Sequence, residues 1–100
     1  MTATLRPTEG ARFLLERERD DGARATYRAA IYTPDAEFAA TATVADDGTF
    51  ELAPTGAPEE LHDMLAMQAR LLARGAAKRR EDGLPAWPAR VLRWRGPGRG

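Results

Sequence analysis

The sequence predicts an α+β fold: a four-stranded antiparallel β-meander, one long α-helix packed on one face, and a short C-terminal extended segment. Three observations predict it. The tripeptide Asp-Asp-Gly occurs twice, at 20–22 and 46–48, each time between runs that alternate apolar and polar residues. A Thr33-Pro34-Asp35-Ala36 turn sits between these two hairpins, with Pro34 at the second position of a type I turn. An apolar stripe at helical spacing follows from Leu61.

The hairpin registers follow from the requirement that apolar residues share a face, because a slip of one residue turns a whole strand over. A three-residue loop at Asp20–Gly22 sets Arg19 opposite Ala23, Leu15 opposite Tyr27 and Phe13 opposite Ala29. The four-residue turn pairs Tyr32 with Glu37, Ile31 with Phe38, Ala29 with Ala40 and Tyr27 with Ala42. A three-residue loop at Asp46–Gly48 pairs Val44 with Phe50 and Ala42 with Leu52. The three turns agree on one meander. Its other face reads Leu14–Arg28–Thr41, Glu16–Thr26–Thr43–Glu51 and Glu18–Arg24, a solvated surface of threonines and crossed charges.

The helix is expected from Pro58 to Glu81, with acids in its first turns and Gly83 as its stop. Its stripe is Leu61, Met64, Leu65, Gln68, Leu71, Leu72, Gly75 and Ala76, facing Ala25, Ala29, Ala40 and Ala42 on the sheet. A straight helix of that length runs about 36 Å and overhangs strands of about 24 Å unless it breaks at Gly75. The overhang is one reason to expect a homodimer. Gln68, inside the apolar stripe, would then meet its own counterpart across a two-fold axis.

The chain has 100 residues and a net charge of zero, enough for one domain with its own core. Residues 1–10 are expected to be a flexible N-terminus, residues 11–94 the domain, and residues 95–100 an Arg/Gly tail. Charge is unevenly divided, with a net of −7 over residues 1–69 and +7 over residues 70–100. Fourteen of the fifteen basic residues are Arg, a bias that reads as coding preference.

The sequence contains no Cys, Ser or Asn and a single His. A disulfide scaffold, a thiolate metal site and a Ser or Cys nucleophile are therefore excluded. No apolar run is long enough to span a membrane, and no signal-peptide pattern opens the chain, so a cytoplasmic protein without membrane contact is expected. His62 flanks the apolar stripe and reads as a boundary residue. The Asp-Asp-Gly loops lack an EF-hand ladder of ligands, and the glycines near the C-terminus lack phosphate-loop spacing. No catalytic residue, metal or cofactor is expected.

Two basic stretches remain as contact candidates. Arg70, Arg74 and Lys78 form an i, i+4 stripe of like charge. Arg90, Arg93, Trp94 and Arg95 lie in the C-terminal stretch, whose prolines at 85 and 88 forbid helix, and Val91–Trp94 suits a short strand. Burial of Trp87 and Trp94 against the helix or a sheet edge is expected to close the fold.

Over residues 11–82 the ββββα order resembles the layout of the Whirly-type single-stranded-nucleic-acid proteins, which implies strand-face binding of nucleic acid. No family motif accompanies the resemblance, and the acidic, aromatic-poor sheet face departs from it. The function expected first is thus a small non-catalytic interaction module, homodimeric, with a basic C-terminal surface for an acidic protein. The alternative is a single-stranded nucleic-acid-binding protein using the Arg/Trp segment.

Overall fold

In the computed structural model, residues 7–95 are described. The meander forms as β1 (Ala11–Asp20), β2 (Arg24–Tyr32), β3 (Glu37–Ala45) and β4 (Phe50–Leu52). A fifth strand, β5 (Arg90–Arg95), returns antiparallel to β1, so the sheet order is β4-β3-β2-β1-β5. The helix lies on one face as α1 (Glu59–Arg74) and α2 (Ala76–Glu81).

Two of the three hairpin registers are as the pattern predicts. Tyr32 pairs with Glu37 and Ile31 with Phe38, while Val44 pairs with Phe50 and Ala42 with Leu52. Gly48 takes φ +91° in the second Asp-Asp-Gly loop, the left-handed conformation of a bulged three-residue turn.

The first hairpin differs by two residues. Leu15 pairs with Ala29 rather than Tyr27, and Phe13 with Ile31 rather than Ala29. Asp21 N–H donates to Arg24 O at 3.0 Å, and Asp21 Oδ1 accepts from Ala23 N and Arg24 N. The tip is thus Gly22–Ala23. A bulge between Arg17 and Arg19 then shifts the strands into their final pairing. A slip of two leaves every side chain on its original face, so the apolar pattern is satisfied either way.

The core is built for close approach. Ala25, Ala29 and Ala42 on the sheet and Ala69, Ala73 and Ala76 on the helix are all buried, with Leu15, Tyr27, Ile31, Val44, Leu65 and Leu72 filling between them. The buried helix stripe is turned from the one the sequence suggests, taking in Ala69 and Ala73. Leu71 is 57% exposed and belongs to the outer face, and Gln68 is half-buried at the flank.

The helix breaks at Gly75. Its Cα approaches Arg79 so closely that a Cβ would lie 2.6 Å from Nη1. The Arg79 guanidinium passes there to donate from Nε to Ala86 O at 2.7 Å and from Nη2 to Leu72 O. Burial holds its pKa below the ordinary arginine value. With the break, a straight overhanging helix no longer argues for a second copy. α2 ends in a Schellman arrangement, Gly83 N–H to Arg80 O and Leu84 N–H to Arg79 O.

Trp87 seats the returning chain. It is 2% exposed and donates from Nε1 to Gly22 O at 2.9 Å, beside the Arg80 guanidinium on the same carbonyl. Arg17 Nη1 donates to Trp87 O at 2.7 Å, and Tyr27 Oη donates to Pro88 O at 2.6 Å.

Trp87→Ala is expected to cost about 3–5 kcal/mol through the cavity it leaves. Trp87→Phe should cost only about 1 kcal/mol in hydrogen bonding, since Arg80 still serves the Gly22 carbonyl. Urea unfolding of both variants measures the difference.

Burial pushes the Tyr27 phenol up to about 12, against the smaller opposing effects of Arg17 and Arg79. The fold favours the protonated phenol, so its contribution is full below the unfolded value of about 10 and declines as pH rises towards about 12. Urea midpoints between about pH 9 and pH 11 should therefore fall more steeply for the wild type than for Tyr27→Phe.

Candidate interaction surface at the β5 edge

The C-terminal strand exists because the segment before it is fastened. Pro85 and Pro88 keep the chain out of helix, Trp87 is anchored in the core, and Arg17 N–H donates to Ala89 O at 2.9 Å. The chain therefore enters the sheet with Arg90 opposite Glu16, Leu92 opposite Leu14 and Trp94 opposite Arg12. Arg95, expected to begin a tail, is the last residue of this strand, and pairs with Ala11. The expected tail residues 96–100 and the first six residues of the expected N-terminus lie outside the described residues.

Alternation divides β5 between two faces. Val91 turns towards the helix side and packs against the core. Arg93 and Arg95 share that side but are exposed. Arg90, Leu92 and Trp94 fall on the open face of the sheet. Leu92 is 38% exposed and Trp94 53%, so the two tryptophans part company: Trp87 closes the fold and Trp94 does not. The Trp94 indole is oriented by its Nε1–H, which donates to Glu9 O at 3.1 Å.

The open face gains one exposed aromatic, Trp94, and is not solvated throughout as expected. With the first hairpin shifted by two and β5 added, one row reads Trp94–Arg12–Tyr32–Glu37 and the next Leu92–Leu14–Ala30–Ala39. Leu14, Ala30 and Tyr32 are buried together as a second small apolar cluster, and Pro7 is buried as well. The third row is Arg90–Glu16–Arg28–Thr41. A side-chain hydrogen bond to Tyr32, with Glu16 and Glu37 nearby, raises the Arg28 pKa above its ordinary value. Two strand spacings put Trp94 and Tyr32 about 10 Å apart, with Arg12 between them.

The predicted basic residues do not form one surface. Arg70 and Arg74 line an open depression with Asp46, Asp47 and Gly48 of the β3–β4 loop. The bend at Gly75 separates them from Lys78, which pairs with Asp82 at 3.2 Å in an exposed contact worth little to stability. Arg80 Nη1 lies 2.8 Å from Asp46 Oδ2. The helix cations thus sit against acids of their own chain. Arg90, Arg93 and Arg95 lie at the far edge, about four strand spacings or roughly 19 Å across the sheet.

Arg12 belongs to the β5 surface without having been singled out from the sequence, and the pairing of β5 with β1 sets it, Arg28 and Tyr32 in line with Leu92 and Trp94.

His62 has a structural part. Its Nδ1 is 3.1 Å from Thr55 Oγ1, which accepts from Ala57 N–H at 3.2 Å. The contact ties the loop before α1 to its first turn. Among the described residues, no three His, Cys, Asp or Glu side chains converge as a metal-binding group, and no helix is long and apolar enough to cross a membrane.

No known protein family, curated protein or solved structure matches the chain.

The different seats of the two tryptophans give a direct optical test. Trp94→Phe should leave a blue-shifted emission that acrylamide quenches poorly. Trp87→Phe should leave a red-shifted, readily quenched one.

Proposed function

We propose that the protein is an interaction module that takes up an extended acidic polypeptide along β5, as a sixth strand of the sheet. The observation that carries this reading is the make-up of that edge. β5 is the last strand of the sheet, and among the described residues no strand pairs with its outer side. It offers the outward-facing backbone donors and acceptors of alternate residues along a six-residue strand, Leu92 and Trp94 exposed on one face, and arginines at positions 90, 93 and 95.

Edge strands of this kind are usually blunted by charge so that they do not pair with copies of themselves. Here every charge on the strand is positive. Two β5 strands side by side would set arginines against arginines, whereas a strand bearing Glu or Asp would meet complementary charge. Main-chain bonds would supply affinity, and the Leu92 and Trp94 side chains would select apolar residues on alternate positions of the guest.

Single-stranded nucleic acid is the second reading, favoured by Trp94 beside Arg12 on the open face, with Arg90 further along the same strand. It needs a row of stacking aromatics. Tyr32, the next aromatic in that row, is 4% exposed, which leaves Trp94 alone to receive a base. The polypeptide reading uses the whole strand and is preferred.

Fluorescence anisotropy separates the two. The probes are a labelled peptide of about eight residues alternating Glu with Val, and an oligothymidylate of similar length. The peptide should bind the full chain, and Arg93→Glu or Trp94→Ala should weaken it about tenfold, or roughly 1.4 kcal/mol. Oligothymidylate binding that exceeds peptide binding and survives near-physiological salt would move the assignment to nucleic acid. Binding of neither probe would remove the β5 surface as the functional site.

A further inference from the structure

The outer flank of α1 carries a second surface, independent of β5. Met67 and Leu71 are each 57% exposed, and Met64 is only partly covered by the core. Isolated exposed apolar residues are ordinary, but these three are ordered. With Glu60 and Arg74 they stand at positions 60, 64, 67, 71 and 74, the alternating four-and-three spacing of a helix-pairing seam. The middle of the seam, Met67 and Leu71, is left exposed, since the sheet is on the opposite side of α1, where Leu65, Ala69, Leu72 and Ala73 are buried.

The charges say what would cover it. Along the seam and beside it, acids come first, at Glu60 and Asp63, and bases last, at Arg70 and Arg74. The pattern is its own complement when read backwards. Two copies of α1 laid antiparallel with Met67 at the crossing place Met67 on the partner's Met67 and Met64 on the partner's Leu71. The same register places Glu60 by the partner's Arg74 and Asp63 by the partner's Arg70. Parallel helices would set acid on acid and base on base.

We infer that the protein forms a two-fold homodimer through this seam, with α1 of each protomer antiparallel to the other. An isologous contact of this kind closes on itself and builds no fibre. Arg70 and Arg74 would then lie between their own Asp46–Asp47 loop and the acids of the partner's helix. Gln68, half-buried at the edge of the seam, would be covered beside the axis. The arginines of β5 oppose a dimer built edge to edge, and the two β5 surfaces remain open in the α1 dimer. A seam along one helix of 16 residues is smaller than a standard interface of roughly 1,600 Å², so association in the micromolar range that weakens with salt is expected.

Sedimentation equilibrium of the full chain at low and high salt tests this, with far-UV circular dichroism as the check that each variant is folded. The wild type should dimerise. Met67→Glu sets like charges across the axis and should weaken association by at least about tenfold. Glu60→Arg and Arg74→Glu should each do the same alone. An equimolar mixture of those two variants should associate again, because each then offers the charge the other needs.

A wild type that stays monomeric up to about millimolar concentration, where even a weak specific contact would be populated, overturns the inference. So does a dimer that is unchanged by Met67→Glu but lost in Trp94→Ala. That second result would place self-association on β5 and would also displace the acidic-strand reading, whereas a monomer that still binds the acidic peptide would leave it standing.

Discussion

The placement of Trp87 governs the rest of the structure. Its indole reaches back to the tip of the first hairpin, hydrogen-bonded to the Gly22 carbonyl. The carbonyls of Trp87 and Pro88 accept from Arg17 and Tyr27 on the two strands that lead to that tip. One buried side chain and two backbone carbonyls thus pin the chain after the helix to β1 and β2. From that point β5 can only run along the free side of β1. The open face then gains Leu92 and Trp94, and the sheet gains a basic edge. Without this anchor the chain would have no reason to return to the sheet in that register.

A second constraint turns the helix towards the anchor. Arg79 uses its partly buried guanidinium as a strut between Leu72 O and Ala86 O, and a side chain at position 75 would push it from that place. The helix can therefore bend where the sheet ends, and Ala86 and Trp87 are brought down onto the core. Much of the charge asymmetry of the sequence is absorbed within the same region. Arg80 meets Asp46, Lys78 meets Asp82, and Arg70 and Arg74 border the Asp46–Asp47 loop. What remains outward is a basic edge at β5, and a helix flank graded from acid to base. The first suits a foreign acidic strand and the second suits a copy of itself.

Much of the fold was legible in the residues. The turn at Thr33–Ala36 and the second Asp-Asp-Gly loop each specify their own hydrogen bonds, so the pairings they join, Ile31 with Phe38 and Val44 with Phe50, follow locally. The first Asp-Asp-Gly looks the same in sequence but folds differently. Its tip moves to Gly22–Ala23 and the offset is taken up by a bulge near Glu18. Both arrangements keep Phe13, Leu15 and Tyr27 on the inner face, so apolar patterning is blind to the choice. The helix stripe shows the same limit. Leu71 and Leu72 are equivalent in hydrophobicity, and only the position of the sheet decides that Leu72 is buried and Leu71 exposed.

The candidate site was legible in part. Arg90, Arg93, Trp94 and Arg95 could be named from composition and local strand propensity, and Arg28 and Tyr32 could be placed by the local turn, while Arg12 could not, because it joins them through strand pairing between distant segments. By itself the sequence determined the α+β class, the inner face of each strand and the helix ends; it did not show that Leu14, Ala30 and Tyr32 on the other face are buried. The class, the inner faces and the helix ends depend on residues a few positions apart, whose geometry the backbone fixes. Only the tertiary structure decided the register of the first hairpin, the choice between a straight helix and one bent at Gly75, the pairing of the fifth strand with β1, and the separation of the helix cations from β5. Those outcomes turn on contacts between residues up to 85 positions apart, as between Trp94 and Glu9, and local preference carries no information about which of two equally apolar arrangements such contacts will select.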